Sequence, residues 1–435
     1  MRIRQYLILP LTAVLLIAIR AYAAEPIHFH GELHSSDGQP VHGMHQISFA
    51  IYEDSSFRGT PLWSETHTVL ANAEGHYAVE LASGSRKSLF QDRKLVYVAA
   101  ETRDEATGEV SKTETAITSV PQGIWLNCNP DNGPNTCSTG ATINTEKAIA
   151  EIAAGHFRYI LNASNLWGTD AEIAAYANQA NTSGVKIIWY LGSDFSVYLR
   201  SKSYSLIAND TELPSSFCSS CTNSCFVTAL IAYLKRFPAT AGYMIDDEEI
   251  QDAANGFPIS SSGKKAAAAD GTDLASLAEV IRAEDSTHPI YGTEDYYNLP
   301  SASEAELAAY YSYIPDGTLN YYGTDYYPVG ALNSTPTNGR LMADQQANGD
   351  WLDTVAARNG ATGTFEDLQA YNWSDSWEGG CPSSSCAFPT IAQLEDMLKG
   401  ATKATNAPAQ VFWWEYTDVV YNHQWWNLLT AVNPQ

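Results

Sequence analysis

Four carboxylates stand side by side at Asp246-Asp247-Glu248-Glu249, directly after the apolar run Tyr243-Met244-Ile245. Adjacent like charges repel, so one of the four is expected to keep its proton near neutral pH, as a general acid must. Acids, amides and aromatic rings follow other apolar runs as well: Trp189-Tyr190 with Asp194, Glu294-Asp295-Tyr296, Asp325-Tyr326-Tyr327, Asn372-Trp373 with Asp375, and Trp413-Trp414-Glu415 with Asp418. Lysine, arginine, cysteine and histidine are almost absent from these positions. That inventory suits sugars. Rings stack on the C–H faces of pyranoses, acids and amides bond hydroxyls, and two carboxyls across a glycosidic bond do the chemistry. Without basic residues a phosphorylated substrate is disfavoured, and without clustered histidines so is a metallohydrolase. No metal or cofactor is expected.

These residues need a frame that brings strand ends together. From about residue 123 short strands alternate with helical spacing, the mark of parallel βα units. Eight strands are expected near 123–127, 157–162, 186–191, 241–246, 289–293, 319–324, 368–373 and 411–414. Leu274, Leu277 and Ile281 recur at helical spacing, and Thr390-x-x-Gln393 reads as a capping box. Eight units over residues 121–435 fit an α/β fold of the (β/α)8 TIM-barrel type, whose active site lies at the C-terminal strand ends. An open doubly wound sheet is the alternative, but no glycine-rich phosphate loop follows any strand. Residues 24–120 have another texture. Alternating runs such as Gln46–Tyr52 and His76–Leu81, separated by turns, predict an antiparallel β-sandwich. Trp413 and Trp414 must point to opposite sides of their strand. By the same alternation Asp246 shares a side with Glu248, and Asp247 with Glu249, if the chain stays extended there.

Acidic residues number 49 against 24 lysines and arginines, a net charge of −25. So negative a chain leaves nothing to neutralise phosphates, which excludes nucleic acid as a partner, and it is repelled by anionic lipid. Residues 1–23 read as a secretory signal peptide: Arg2 and Arg4, then an apolar run, then Ala21-Tyr22-Ala23. The expected location is secreted or periplasmic, with no membrane partner after cleavage. In that compartment Cys128 with Cys137 and Cys381 with Cys386 are expected as disulfides. Cys218, Cys221 and Cys225 are read as one disulfide and one free thiol rather than a metal site.

Two resemblances sharpen the reading. Gly31-Glu32-Leu33, Phe49-Ala50-Ile51-Tyr52, Pro61-Leu62-Trp63-Ser64-Glu65, Gly75-His76-Tyr77 and Ser119-Val120-Pro121 resemble a sandwich module common in exported bacterial proteins. Residues 123–435 resemble the TIM barrels of the large retaining glycoside hydrolase clan. The segment Gly242-Tyr243-Met244-Ile245-Asp246-Asp247-Glu248 looks like that clan's strand-four end, and Gly323-Thr324-Asp325-Tyr326-Tyr327-Pro328 is similar to its strand six. The resemblance implies glycosidase activity on an oligo- or polysaccharide, with Glu248 as general acid. The clan's nucleophile is a glutamate ending strand seven, where this chain is expected to place Asn372-Trp373. Its role is left between Glu415 and Glu294. Some α-glycoside-cleaving barrels instead use a strand-four aspartate as nucleophile, here Asp246 or Asp247, with a strand-six acid, here Asp325. The sugar-binding set is expected to be Trp189, Tyr190, Asp246, Asp325, Tyr326, Asn372, Trp373, Trp413 and Trp414. The alternative function is a carbohydrate-binding or cell-surface protein on a decayed glycosidase barrel.

Overall fold

Alternation builds the N-terminal part. In β2 (Gly43–Tyr52) Ile47, Phe49 and Ile51 are buried while their neighbours face out, the period of a strand with one covered face. β2 pairs antiparallel with β3 (Trp63–Ala71) and β5 (Leu95–Arg103), and β5 with β6 (Val110–Thr118). A second antiparallel sheet joins β1 (Ile27–Glu32) to β4 (His76–Leu81). Phe29 of β1 meets Phe49 of β2 edge to face at 5.5 Å, so the two sheets share one apolar core. The motif residues explain themselves here. A side chain at Gly31 would strike the Tyr77 ring, and the carbonyl of Gly75, a residue at φ +86°, accepts from the Leu33 N–H at 2.9 Å.

The structure is a computed structural model that describes residues 27–35, 39–54, 56–83, 85–90, 95–103, 110–126, 145–162, 170–191, 223–254, 258–295, 303–329, 340–370 and 389–414. Eight parallel strands close into a barrel. They are β7 (Gln122–Leu126), β8 (Tyr159–Asn162), β9 (Lys186–Tyr190), β10 (Thr240–Asp247), β11 (Ile290–Asp295), β12 (Tyr321–Tyr326), β13 (Gly363–Gln369) and β14 (Gln410–Trp414). Helices lie between successive strands, the longest at Ser261–Glu284 and Arg340–Arg358. The expected barrel is therefore present, and the open sheet is not.

Side chains divide by strand period into two cores. Trp125, Leu161, Ile188, Met244, Tyr291, Phe365 and Phe412 fill the barrel. Ile124, Ile187, Tyr243, Tyr322, Leu368 and Trp413 face the helices, where Leu274, Leu277 and Ile281 meet them as expected. The capping box at Thr390 forms, with Gln393 N–H donating to Thr390 Oγ1 and the Gln393 side chain accepting from Thr390 N–H. Among the described residues no helix is long and apolar enough to cross a membrane.

One strand lies elsewhere than expected. The seventh spans Gly363–Gln369 rather than 368–373. Its start is set by Gly360, at φ +69°, which ends the preceding helix. This shift puts Glu366 and Asp367 inside the strand.

Candidate active site

The C-terminal end of the barrel is floored by carboxyls. In the β12–β13 register Asp325 is paired with Asp367, both on inward positions. Asp367 is fully buried and Asp325 is 3% exposed. The Thr293 hydroxyl on β11 donates to Asp325 Oδ1 at 2.9 Å. Trp125 of β7 reaches past β14 and donates its indole N–H to Asp367 Oδ1 at 2.9 Å. The two carboxyls also hydrogen-bond each other, which requires a proton between them. Burial, followed by the neighbouring charge of Asp325, pushes Asp367 well above the usual carboxylate range. Burial raises Asp325 too, but hydrogen bonds from Asp367, Thr293 and Tyr327 oppose it. The donors on Asp325 and its charge beside Asp367 draw the shared proton toward Asp367.

Aromatic rings stand beside the pair. Trp125 packs against Trp414 at 4.7 Å and meets Tyr190 edge-on at 6.1 Å. Tyr190 and Trp414 are half-buried, so each keeps an accessible part.

The acid run on β10 is divided by a bulge. Met244 pairs with Tyr291, but Asp246 pairs with Gly292, so Ile245 is extra. Before the bulge Met244 points into the barrel. After it Asp246 points out, beside Gly292, and Asp247 points in, in register with Thr293. Asp247 is close enough for its charge to help raise Asp367. Glu248 then takes φ +63°, a left-handed conformation rare for a residue with a side chain. Its N–H donates to Thr293 O at 3.0 Å and its carbonyl accepts from Asp252 N–H at 2.9 Å. The strand ends there, so the extended alternation expected for Asp246 and Glu248 does not hold. Such strain tends to persist where function needs it and costs on the order of 1–3 kcal/mol.

Several expected residues lie on the helix side of the barrel. Glu294 is fully buried and accepts from Ile250 N–H at 3.1 Å and Gln251 N–H at 3.0 Å. It caps the short helix Glu249–Ala254, where a negative charge meets free N–H groups, and it does not face the mouth. Trp189 is buried among the helices and donates to Thr240 Oγ1 at 3.0 Å. Trp413 donates to Gln122 Oε1 at 2.7 Å on the same outer layer, and Tyr326 is buried there too. Asp246 faces this layer because of the bulge. These four therefore leave the sugar-binding set. Of the tryptophan pair, Trp414 is the one that faces inward. The expected residues that converge inside are Tyr190, Asp247, Asp325 and Trp414.

Glu415, Asn372, Trp373, Cys128, Cys137, Cys381 and Cys386 lie outside the described residues, as do Cys218 and Cys221. Sequence reasoning missed Asp367, Trp125 and Thr293. Trp125 sits at an inward position of the first strand, a signal that strand period alone supplies. Asp367 had no such signal, because Phe365 and Leu368 fall three apart and the two acids between them interrupt any alternation.

Residues 28–114 match a domain of unknown function, DUF8740. No curated protein matches the chain. Among solved structures, a β-glucuronidase 2 of Bacteroides uniformis shares 11% identity at a TM-score of 0.41, over 91% of this chain and 45% of that one. The chain thus spans under half the length of that protein. A family 1 β-glucosidase from Thermotoga maritima shares 11% identity at a TM-score of 0.44, over 68% of this chain and 88% of that one. A GH2 β-galacturonidase from Eisenbergiella tayi shares 10% identity at 0.39, over 89% and 64%. Likenesses this distant assign no residue and no substrate.

Proposed function

We propose that the protein is an exported glycoside hydrolase acting on an oligo- or polysaccharide at the C-terminal mouth of its barrel. The observation that carries the reading is the inward convergence of Asp247, Asp325 and Asp367 beside Trp125, Tyr190 and Trp414. Carboxyls of unlike protonation next to aromatic rings meet the two demands of glycosidic cleavage: a proton for the leaving oxygen and an anion for the anomeric carbon or for water. Asp325 supplies the anion in this reading. Glu248 and Asp247, both half-buried at the end of β10, supply the accessible acid across the mouth. That arrangement uses the strand-four and strand-six positions of α-glycoside-cleaving barrels with the two roles exchanged, and it retains Glu248 as the acid implied by the clan resemblance.

The test is a hydrolysis screen of oligosaccharides and aryl glycosides with the mature protein, beside Asp325→Asn and Glu248→Gln. Hydrolysis by the parent that both substitutions reduce by about 10²-fold or more supports the reading. A second reading, a carbohydrate-binding protein on a decayed barrel, is favoured by one fact. Glu366 of strand seven and Glu294 of strand five both point away from the mouth. Glycan binding without hydrolysis in all three proteins would establish it.

A further inference from the structure

Asp325 and Asp367 are more deeply placed than a pair that grips substrate alone would need to be. Asp367 has no exposed surface, and its contacts run to three other strands: β7 through Trp125, β12 through Asp325 and β10 through the charge of Asp247. On Asp325 the hydroxyl of Thr293 adds a fourth strand. We infer that Asp367, Asp325 and Trp125 form one proton-holding unit beneath the mouth, with Trp125 as the positioning residue that fixes how Asp367 presents its carboxyl. As a part of catalysis the unit rests on the glycosidase reading, but its protonation does not.

The balance of donors favours one arrangement of the shared proton. Trp125 donates to Oδ1 of Asp367, which must then accept there. Oδ2 of Asp367 is buried with no donor among the described residues, so it is the oxygen free to carry a proton toward Asp325. Asp325 Oδ1 already accepts from Thr293. With Tyr327 as a further donor, Asp325 receives hydrogen bonds from Asp367, Thr293 and Tyr327 and is held as a carboxylate, while Asp367 is held as the acid. The ring of Trp125 is at the same time the base of the aromatic cluster with Trp414 and Tyr190. A sugar pressing on that cluster would bear on the indole, and through it on the acid. Trp125 thus couples the stacking surface to the proton.

The experiment is a pH titration by NMR of the full chain labelled with 13C at the aspartate side-chain carboxyls. One aspartate should stay protonated through neutral pH, and its signal should be missing from Asp367→Asn. Trp125→Phe keeps an aromatic ring but deletes the N–H donor to Asp367. Losing a hydrogen bond that favours the anion should raise the midpoint of that titration by about one unit or more. Thr293→Val should raise the coupled step on Asp325 in the same direction, and it keeps the test open if Trp125→Phe does not fold. Ionisation of every aspartate by about pH 6 in the parent protein would overturn the inference. So would an unshifted midpoint in a folded Trp125→Phe. If the titration behaves as described and no glycoside is hydrolysed, the unit stands and the glycosidase reading falls.

Discussion

Glu366 offers a test of how the barrel is held that is independent of its chemistry. It lies on the outer face of β13, 1% exposed, under the helix Arg340–Arg358. The Gln345 amide donates to its Oε2, and Asn348 Nδ2 approaches the same oxygen at 3.4 Å. Gly349 makes the room, since a side chain there would strike Glu366 Oε1. Burial pushes the Glu366 carboxyl up to about 8, against the two amide hydrogen bonds and with the help of Asp353 and Asp350. The folded protein therefore holds a proton here that the unfolded chain loses near its ordinary value of about 4.3. A raised carboxyl contributes stability that is whole below the unfolded value, declines as pH rises and is gone above the folded value. Across that window, from about 4.3 to about 8, the loss is about 5 kcal/mol at about 1.36 kcal/mol per pH unit. That is a third or more of the stability of an ordinary domain, about 5–15 kcal/mol.

Glu366→Gln should remove this dependence and keep the shape. Its carbonyl oxygen can take over the acceptor role of Oε2. Its amide can donate to Gln345 Oε1 and Asn348 Oδ1, buried acceptors with no donor among the described residues. Urea unfolding of parent and variant, compared at several values between about pH 5 and pH 9, isolates the Glu366 contribution because every other group is common to both. The two should be similar at the acid end. The variant should gain steadily toward about pH 8, by several kcal/mol, and stay level beyond. Stability curves that run parallel across the whole range would refute the account of Glu366 as a buried neutral acid.

Three further outcomes are expected. Glu248→Gln should preserve fold and sugar binding but lower hydrolysis by about 10²–10⁴-fold, least on aryl glycosides with good leaving groups; equal losses on all substrates would remove Glu248 as the acid. Mass mapping without reduction should find Cys128 joined to Cys137 and Cys381 to Cys386, and free thiols at all four would end that idea. A chain begun at Pro121 should fold and keep whatever activity the full chain shows, because the sandwich and the barrel have separate apolar cores. Aggregation of that shorter chain would mean that the Tyr97–Lys399 contact, 6.0 Å from cation to ring, belongs to an interface the barrel needs.

Strand period and turn residues made most of the frame legible. Seven of the eight barrel strands fall within a few residues of where apolar runs predict them, because strands buried on both faces are apolar throughout. The remaining one, strand seven, failed for the same reason. Glu366 and Asp367 sit in the middle of β13, and adjacent acids read as a solvated loop, since acids are almost never fully buried unless paired. Both are in fact partnered, but the partners are remote. Trp125 precedes Asp367 by 242 residues, and Gln345 and Asn348 come from a helix whose docking no local pattern gives. With strand seven expected at 368–373, Asp367 falls ahead of the strand, and the candidates for the second carboxyl are Glu415 and Glu294.

The bulge at Ile245 shows why a run of four acids is tolerated at all. An unbroken β10 would aim Asp246 at Asp367 and turn Asp247 to the helices. With one extra residue the run is dealt to different surroundings. Asp246 goes to the outer layer, Asp247 goes to the mouth, and Glu248 turns the chain at φ +63°. Glu249 opens the helix Glu249–Ala254, whose N–H groups at Ile250 and Gln251 are met by Glu294 from the next strand. Repulsion among neighbours in sequence is thereby reduced by sending them in different directions. Outside, the Glu294 carboxylate is engaged with helix N–H groups, and inside, Asp247 stands near the Asp325–Asp367 pair, where a shared proton removes one negative charge. The same local irregularity that defeats a period-two reading of β10 is what supplies the mouth with a strand-four acid.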